Sequence, residues 1–192
     1  MKNPTSIFKL AARFNAQKEG GLVDDPDDPG GITNYGFSIR YAKAVGDSDG
    51  DGFDDFDFDQ DGDVDADDIR DMTPEQALQA RRYLWDKWRC NELPDPTIAI
   101  KFFDLCFPLG YRRSALALQR ALRANGYPVV EDGIAGTKTL LVLSRFQDRP
   151  APFLTAYMSE IAGIFRLQKS QKYEDGWLNR AYELPFMEKQ DG

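Results

Sequence analysis

A mainly α-helical fold with a short loop or hairpin region and one Asp-rich loop is predicted by three observations. Apolar residues recur at helical spacing through most of the chain, helix-start signals stand before several of these runs, and two stretches, 22–39 and 47–68, break the pattern with Asp, Gly, Pro, Thr and Asn. Asn3-Pro4 supplies a cap and a first-turn proline, after which Ile7, Phe8, Leu10, Ala11 and Phe14 share one face, so a helix runs from there to about Gly20-Gly21. The 22–39 stretch reads as loops or a short hairpin, where reactive groups would be exposed. Thr73-Pro74-Glu75-Gln76 combines a cap, a first-turn proline and a Gln three residues past the cap. It opens a helix to about Arg89, with Ala77, Ala80, Leu84, Trp85 and Trp88 on its apolar side. Leu93-Pro94-Asp95-Pro96 is a rigid link, and beyond it helical segments fall near 97–107, 112–124, 138–147 and 153–170, an all-helical C-terminal half.

Composition narrows the chemistry. With 192 residues, 42% of them apolar, the chain can bury one compact core or two small lobes. It contains no histidine, which excludes Ser-His-Asp and Cys-His nucleophilic pairs and histidine-bearing zinc sites. Any catalysis must use carboxylates, hydroxyls, lysine or a hard metal. Two cysteines, Cys90 and Cys106, are too few for a disulfide scaffold. The first fourteen residues lack the continuous apolar stretch of a signal peptide, and no run of about 18 apolar residues would span a membrane. A cytoplasmic origin is therefore expected. The net charge of −8 is concentrated: residues 47–68 hold twelve aspartates and no Lys or Arg, so the rest of the chain carries +4 once those twelve charges are set aside. An acidic loop on a mildly basic body suits cation binding by the loop and an anionic partner for the body, against the plainer reading of a solvated acidic loop.

The spacing inside that loop favours a metal. Asp57, Asp59, Asp61, Asp65 and Asp68 stand at positions 1, 3, 5, 9 and 12 of a twelve-residue segment, with Gly62 at position 6, Asp63 at 7 and Val64 at 8. Ca²⁺ takes six to eight oxygens at roughly 2.3–2.6 Å, and alternate carboxylates converge on one point while glycine permits the sharp turn. Val64 would anchor the loop inward. The shorter Asp68 stands where Glu is usual, so bidentate contact is harder and affinity lower than in a sensor site. Upstream, Asp47, Asp49, Asp51, Gly52 and Asp55 repeat the opening, but Phe58 occupies position 12 and cannot ligate, which leaves a second site open. The paired pattern resembles the EF-hand and related Asp-rich calcium loops, and the role expected of the ion is structural.

Glu19 stands where the first apolar helix meets Gly20-Gly21, beside the loop from Asp24 to Gly36. Cleavage of a glycosidic bond needs a general acid, partly buried so that it holds its proton, and a second group that orients water or stabilises positive charge on the sugar. Glu19 fits the acid. Asp28 or Asp27 would supply the second carboxylate and Thr33 a hydroxyl to position water, although a helix-end Glu followed by turn-forming aspartates also accounts for the pattern.

Lys18-Glu19-Gly20-Gly21, followed by Asp25-Pro26-Asp27-Asp28-Pro29-Gly30-Gly31-Ile32-Thr33-Asn34-Tyr35-Gly36, resembles the opening signature of glycoside hydrolase family 108, lysozyme-like N-acetylmuramidases of phages and bacteria. The resemblance implies a lysozyme-like helical fold with Glu19 as catalytic acid. The Glu…Asp…Thr order of phage-type lysozymes maps onto Asp28, with Asp27 as competitor, and Thr33, and Tyr35 is a further candidate for substrate contact. Leu22 replaces an aromatic that is common in the family, and the acidic loop reads as an insertion between two family segments. Residues 1–95 are then a catalytic region interrupted by an insertion at 46–70, and 96–192 a helical region that resembles peptidoglycan-binding modules. Within the latter, Asp132-Gly133-Ile134-Ala135-Gly136-Thr137 forms a glycine turn, with Thr137 expected to cap the next helix.

Arg112, Arg113, Tyr127 and Trp177 are candidate contacts to glycan or stem peptide, because aromatic faces stack on sugars and Arg reaches carboxylates. Burial of the rings and solvation of the arginines would also account for them. The resemblance as a whole implies a monomeric phage-type endolysin acting on bacterial peptidoglycan, with no nucleic acid and no membrane insertion. Such an enzyme accumulates in the host cytoplasm and reaches the wall after release. A lytic transglycosylase on the same bond, or a non-catalytic calcium-dependent wall-binding or virion protein, are the alternatives.

Overall fold

Asp95 starts the most deeply buried helix. Its carboxylate accepts hydrogen bonds from the amides of Thr97 and Ile98 at 2.8 and 3.1 Å, and Pro96 occupies the first turn, where no amide is needed. The structure, a computed structural model, describes residues 4–25, 30–47, 52, 54–168 and 174–185. Among them the order is α1 (Pro4–Ala16), β1 (Thr33–Asn34), β2 (Phe37–Ser38), α2 (Ile39–Val45), α3 (Ala66–Asp71), α4 (Pro74–Lys87), a 3₁₀ turn (Cys90–Glu92), α5 (Pro96–Leu109), α6 (Tyr111–Ala124), α7 (Thr137–Leu143), a second 3₁₀ turn (Ser144–Phe146), α8 (Ala151–Leu167) and α9 (Glu174–Tyr182). The fold is mainly helical, and no helix among the described residues is long and apolar enough to cross a membrane. The chain divides into two compact units, one of residues up to Phe14 together with those from Leu84 onward, the other Asn15–Tyr83.

In the first unit α5 is mostly apolar and correspondingly enclosed. Ile98, Ile100, Phe102, Phe103 and Leu105 are fully buried, each contributing about 1.5–3 kcal/mol of hydrophobic stabilisation. α6 packs on α5 and α8, and α8 packs on α9. Trp85 meets Phe8 and Phe103 edge-on, which fixes the start of α1 and the end of α4 in this core. Two charges of α5 are also fully buried. Lys101 donates to the carbonyls of Arg180 and Glu183, and Asp104 accepts from Arg180 Nη2 at 2.9 Å, so α9 is held by hydrogen bonds as well as by Trp177 stacked on Phe165.

The second unit contains the interrupted stretches. The β1–β2 hairpin pairs Thr33 with Ser38 and Asn34 with Phe37, and Val23 forms an isolated bridge to Thr33. Its two-residue turn places both Tyr35 (φ 49°) and Gly36 (φ 82°) in the left-handed region, as the twist-compatible hairpin turn requires. Ser38 then caps α2 by accepting from the Tyr41 amide.

The helices expected from spacing at 73–89, 97–107, 112–124, 138–147 and 153–170 correspond to α4, α5, α6, α7 with its 3₁₀ extension, and α8. The capping box forms: Thr73 Oγ1 accepts from the Gln76 amide at 3.2 Å, and Gln76 Oε1 accepts from the Thr73 amide at 2.7 Å. Three expectations change. α1 ends at Ala16, a turn before Gly20, because Asn15 O captures the amides of both Lys18 and Glu19. Thr137 is the first residue of α7 and not its cap; Gly136 holds that position without a side-chain bond. The short helices α2 and α3, and α9, were not expected.

The buried Asp104–Arg180 pair gives a stability test. Asp104→Ala removes the carboxylate that faces a largely buried guanidinium and is expected to cost about 3–5 kcal/mol, measured by urea unfolding. A loss below about 1 kcal/mol would show that the pair does not hold α9.

Candidate active site

Asn15 ends α1 with its side chain fully buried, and its Nδ2 donates to Glu19 Oε1 at 3.4 Å. Glu19 itself is half-buried on the turn that follows. Its carboxyl lies against the hairpin: a Cβ built on Gly36 would stand 2.7 Å from Glu19 Oε2, 2.8 Å from Cγ and 2.9 Å from Cδ. Gly36 is therefore required twice, by its positive φ and by the Glu19 carboxyl that occupies the space of a side chain.

Arg81 closes the arrangement from α4. It is 3% exposed, and it donates to Asn15 Oδ1 from Nε at 2.9 Å, to Tyr35 O from Nη2 at 2.7 Å and to Ala77 O from Nη1 at 3.3 Å. Its Cζ stands 5.3 Å from the Phe37 ring centroid. Burial lowers the Arg81 pKa, and the negative charge of Glu19 offsets part of that. Neither Asn15 nor Arg81 was singled out from sequence. The available signal was a polar residue at a core position: 15 follows 8 and 11 on one helical face, and 81 lies between 77, 84 and 85 on another.

Of the other expected site residues, Thr33 and Tyr35 lie on the hairpin that reaches Glu19 through Gly36; both are half-buried, and Thr33 Oγ1 donates to Gly31 O at 3.1 Å. Asp27 and Asp28 lie outside the described residues. Arg112 and Arg113 are exposed in the first turn of α6, the Arg112 stem lying close to Gly133. Tyr127 is half-buried, edge-on to Phe146 with Arg145 over its ring, and Trp177 stacks on Phe165. Both rings have packing roles within the first unit. The neighbouring Asp-Gly turn is held by Gln119, fully buried, whose Nε2 donates to Asp132 Oδ1 and Ile134 O and whose Oε1 accepts from the Gly133 amide.

The acidic loop folds on its own carboxylates. Asp57 accepts from the amides of Asp61 and Gly62, Asp59 from Asp61, and Asp61 from Asp63. Gly62 takes φ 103° at the turn, and Val64 is buried. Asp65 caps α3 in a reciprocal box with Asp68, whose other oxygen accepts from the Phe58 amide at 2.7 Å. Ligand atoms of Asp57, Asp59 and Asp61 all lie within 4.8 Å of one another. At Asp59 the hydrogen bond from the Asp61 amide lowers the pKa, yet desolvation and the charges of Asp61, Asp68 and Asp57 leave it raised. Asp63 is exposed, Asp47 accepts from the Gly52 amide, and Asp49 and Asp51 lie outside the described residues. Asn34 Nδ2 donates to the carbonyls of Ile69 and Arg70 at 3.0 and 3.3 Å, which ties α3 to the hairpin. A cavity of about 340 Å³ between segment 54–60 and α4 is lined by Asp54, Asp57, Phe58, Gln76 and Tyr83 among others. A second, of about 410 Å³, belongs to the first unit; Glu19 lines neither.

Residues 13–110 match the model of the family described as Glycosyl hydrolase 108. The chain belongs to glycosyl hydrolase family 108. Residues 113–182 match a second model, Predicted Peptidoglycan domain, so this member of the family is a glycosidase directed at peptidoglycan. A solved structure titled "Structure of Brucella abortus SagA" is similar in fold, with a TM-score of 0.68, 23% identity and coverage of 92% of this chain and 90% of that one. No curated protein matches significantly.

The Gly36 contact is directly testable. Gly36→Ala is expected to lower the thermal midpoint by about 2–8 °C through the left-handed backbone. Displacement of Glu19 is expected to reduce peptidoglycan hydrolysis more than about tenfold, since a misplacement near 1 Å can cost more still. A variant with the lowered midpoint and full activity would show that activity does not depend on this contact with Glu19.

Proposed function

We propose that this glycosidase is a phage-type endolysin, a muramidase that hydrolyses the β-1,4 bond between N-acetylmuramic acid and N-acetylglucosamine. The observation that carries this reading is the setting of Glu19: a half-buried carboxyl with one oxygen on Asn15 and the other against Gly36, in the segment that matches the family. In this reading Glu19 protonates the leaving oxygen. Asp28, or Asp27, and Thr33 orient the attacking water or stabilise the oxocarbenium-like transition state. Gly20 and Gly21 support it sterically: both are exposed, a Cβ on either would meet nothing within 4 Å, and neither has positive φ, so the local backbone does not call for glycine. Small residues there leave room for a sugar ring beside the acid.

Residues 96–192 would serve as the wall-binding region, with Arg112, Arg113, Tyr127 and Trp177 as contacts, and residues 1–95 as the catalytic region with Tyr35 at its substrate face. The enzyme would act as a monomer on the host wall after release from the cytoplasm.

The acidic insertion is assigned a structural calcium ion, held by Asp57, Asp59, Asp61, Asp63, Asp65 and Asp68. A further ion at Asp47, Asp49 and Asp51 would lack a ligand at Phe58. The fit rests on the converging oxygens of Asp57, Asp59 and Asp61 and on the register of Gly62 and Asp65. Bound calcium would neutralise mutual repulsion in the loop. Through α3 and Asn34 it would brace the hairpin that meets Glu19.

Glu19→Gln removes the transferable proton with little change of shape. Clearing of purified peptidoglycan is expected to fall at least about 100-fold while co-sedimentation with sacculi is kept. Clearing at a near wild-type rate would remove the assignment. Saturating calcium, compared with chelator, is expected to raise the wild-type thermal midpoint by about 5–10 °C at a hundredfold excess over Kd, an increase that Asp57→Ala abolishes. Identical midpoints would remove the calcium assignment.

A further inference from the structure

We propose that Asn15 is a positioning residue that decides which oxygen of Glu19 carries the proton, and that Arg81 fixes Asn15 in the orientation that does so. The inference rests on Glu19 being the acid and adds how its proton is placed. A guanidinium has five N–H donors and no acceptor, so the Asn15 atom 2.9 Å from Arg81 Nε is the amide oxygen. The opposite end of the amide, Nδ2, then faces Glu19 Oε1 as a donor. An asparagine bonded only to hydroxyls or water could turn over by 180°, but this one cannot without setting two donors against each other.

Arg81 is itself immobilised on three elements of the second unit. It bonds to Tyr35 O in the hairpin turn, to Ala77 O one turn back on α4, and to Asn15 at the end of α1, with Phe37 under the guanidinium. A protonated carboxyl has one O–H and one carbonyl oxygen. An N–H donor pairs with the carbonyl oxygen, which assigns the carbonyl to Oε1 and the proton to Oε2, the oxygen on the Gly36 side. The 3.4 Å separation is long for a hydrogen bond, as is common in catalytic contacts before substrate binds. Asn15 thus sets the direction of the proton whenever Glu19 carries it, and donates to the carboxylate that forms once the proton has left.

Asn15→Asp tests this. It keeps the acceptor for Arg81, so the buried guanidinium remains partnered, but it replaces the donor facing Glu19 by a carboxylate oxygen. The expected result is a thermal midpoint within a few degrees of wild type, unchanged binding to sacculi, a kcat reduced about 10- to 100-fold and a KM within about threefold. The alkaline limb of kcat/KM is expected to move up by about one pH unit, because a like charge beside a carboxyl favours its protonated form. A residue needed only for folding would move the midpoint and leave the pH limb in place. A folded Asn15→Asp enzyme with wild-type kcat and an unmoved limb overturns the proposal.

If Asn15→Asp does not fold, Asn15→Ser provides the same reading, its hydroxyl being free to turn: kcat is expected to fall with KM kept, and full kcat overturns the proposal. Glu19→Gln assayed alongside separates the two levels. Full turnover by that variant rejects the acid itself, whereas an inactive Glu19→Gln beside a fully active Asn15 variant rejects only the role of Asn15.

Discussion

A buried guanidinium cannot lose its charge and must find acceptors, and in this chain that requirement organises the region around Glu19. Arg81 finds a carbonyl in the hairpin turn, a carbonyl on its own helix and the amide of Asn15. Two of those partners touch or adjoin Glu19: Asn15 by a hydrogen bond, and the turn by the Gly36 contact. The carboxyl is thus enclosed by groups whose own positions are fixed by Arg81. Pre-organisation of this kind lowers the cost of reaching the reactive geometry, and it explains why a helix end, a two-residue turn and a distant helix are all needed to hold one side chain.

The acidic loop extends the same framework. Its aspartates cap amides along the loop and end in the reciprocal box that starts α3, and Asn34 carries that order into the hairpin. A loop with this much like charge is poorly stable without a counter-ion, which gives the calcium assignment its energetic sense. The aromatic cluster of Phe37, Tyr41, Phe56 and Phe58 supplies the apolar counterpart by joining the start of the loop to the hairpin and α2.

Much of this was legible in the residues. The capping box at Thr73 and the Asp95-Pro96 start are local chemistry, so their outcome depends little on the rest of the chain. Glu19 beside Gly20-Gly21, and the Asp57–Gly62–Asp68 spacing, were legible for the same reason. Short helices such as α2 and α3 were not, because six or seven residues carry too little periodicity and depend on packing. Thr137 failed as a cap because the Asp132-Gly133 turn, pinned by Gln119, sets where α7 can begin. Asn15 and Arg81 were not legible because the helical faces were read from their apolar residues alone, although both stand on those faces, where a polar group needs a partner. Lys101 and Asp104 inside α5 were not legible for the same reason.

The central claim is that Glu19 delivers a proton to a glycosidic oxygen and that water completes the cleavage. Mass spectrometry of the soluble fragments released from purified peptidoglycan tests it most directly. Fragments ending in a reducing N-acetylmuramic acid, each one water heavier than the corresponding 1,6-anhydro fragment, are the result expected of the wild type. Fragments ending in a 1,6-anhydro sugar, or no released glycan at all, would contradict the account.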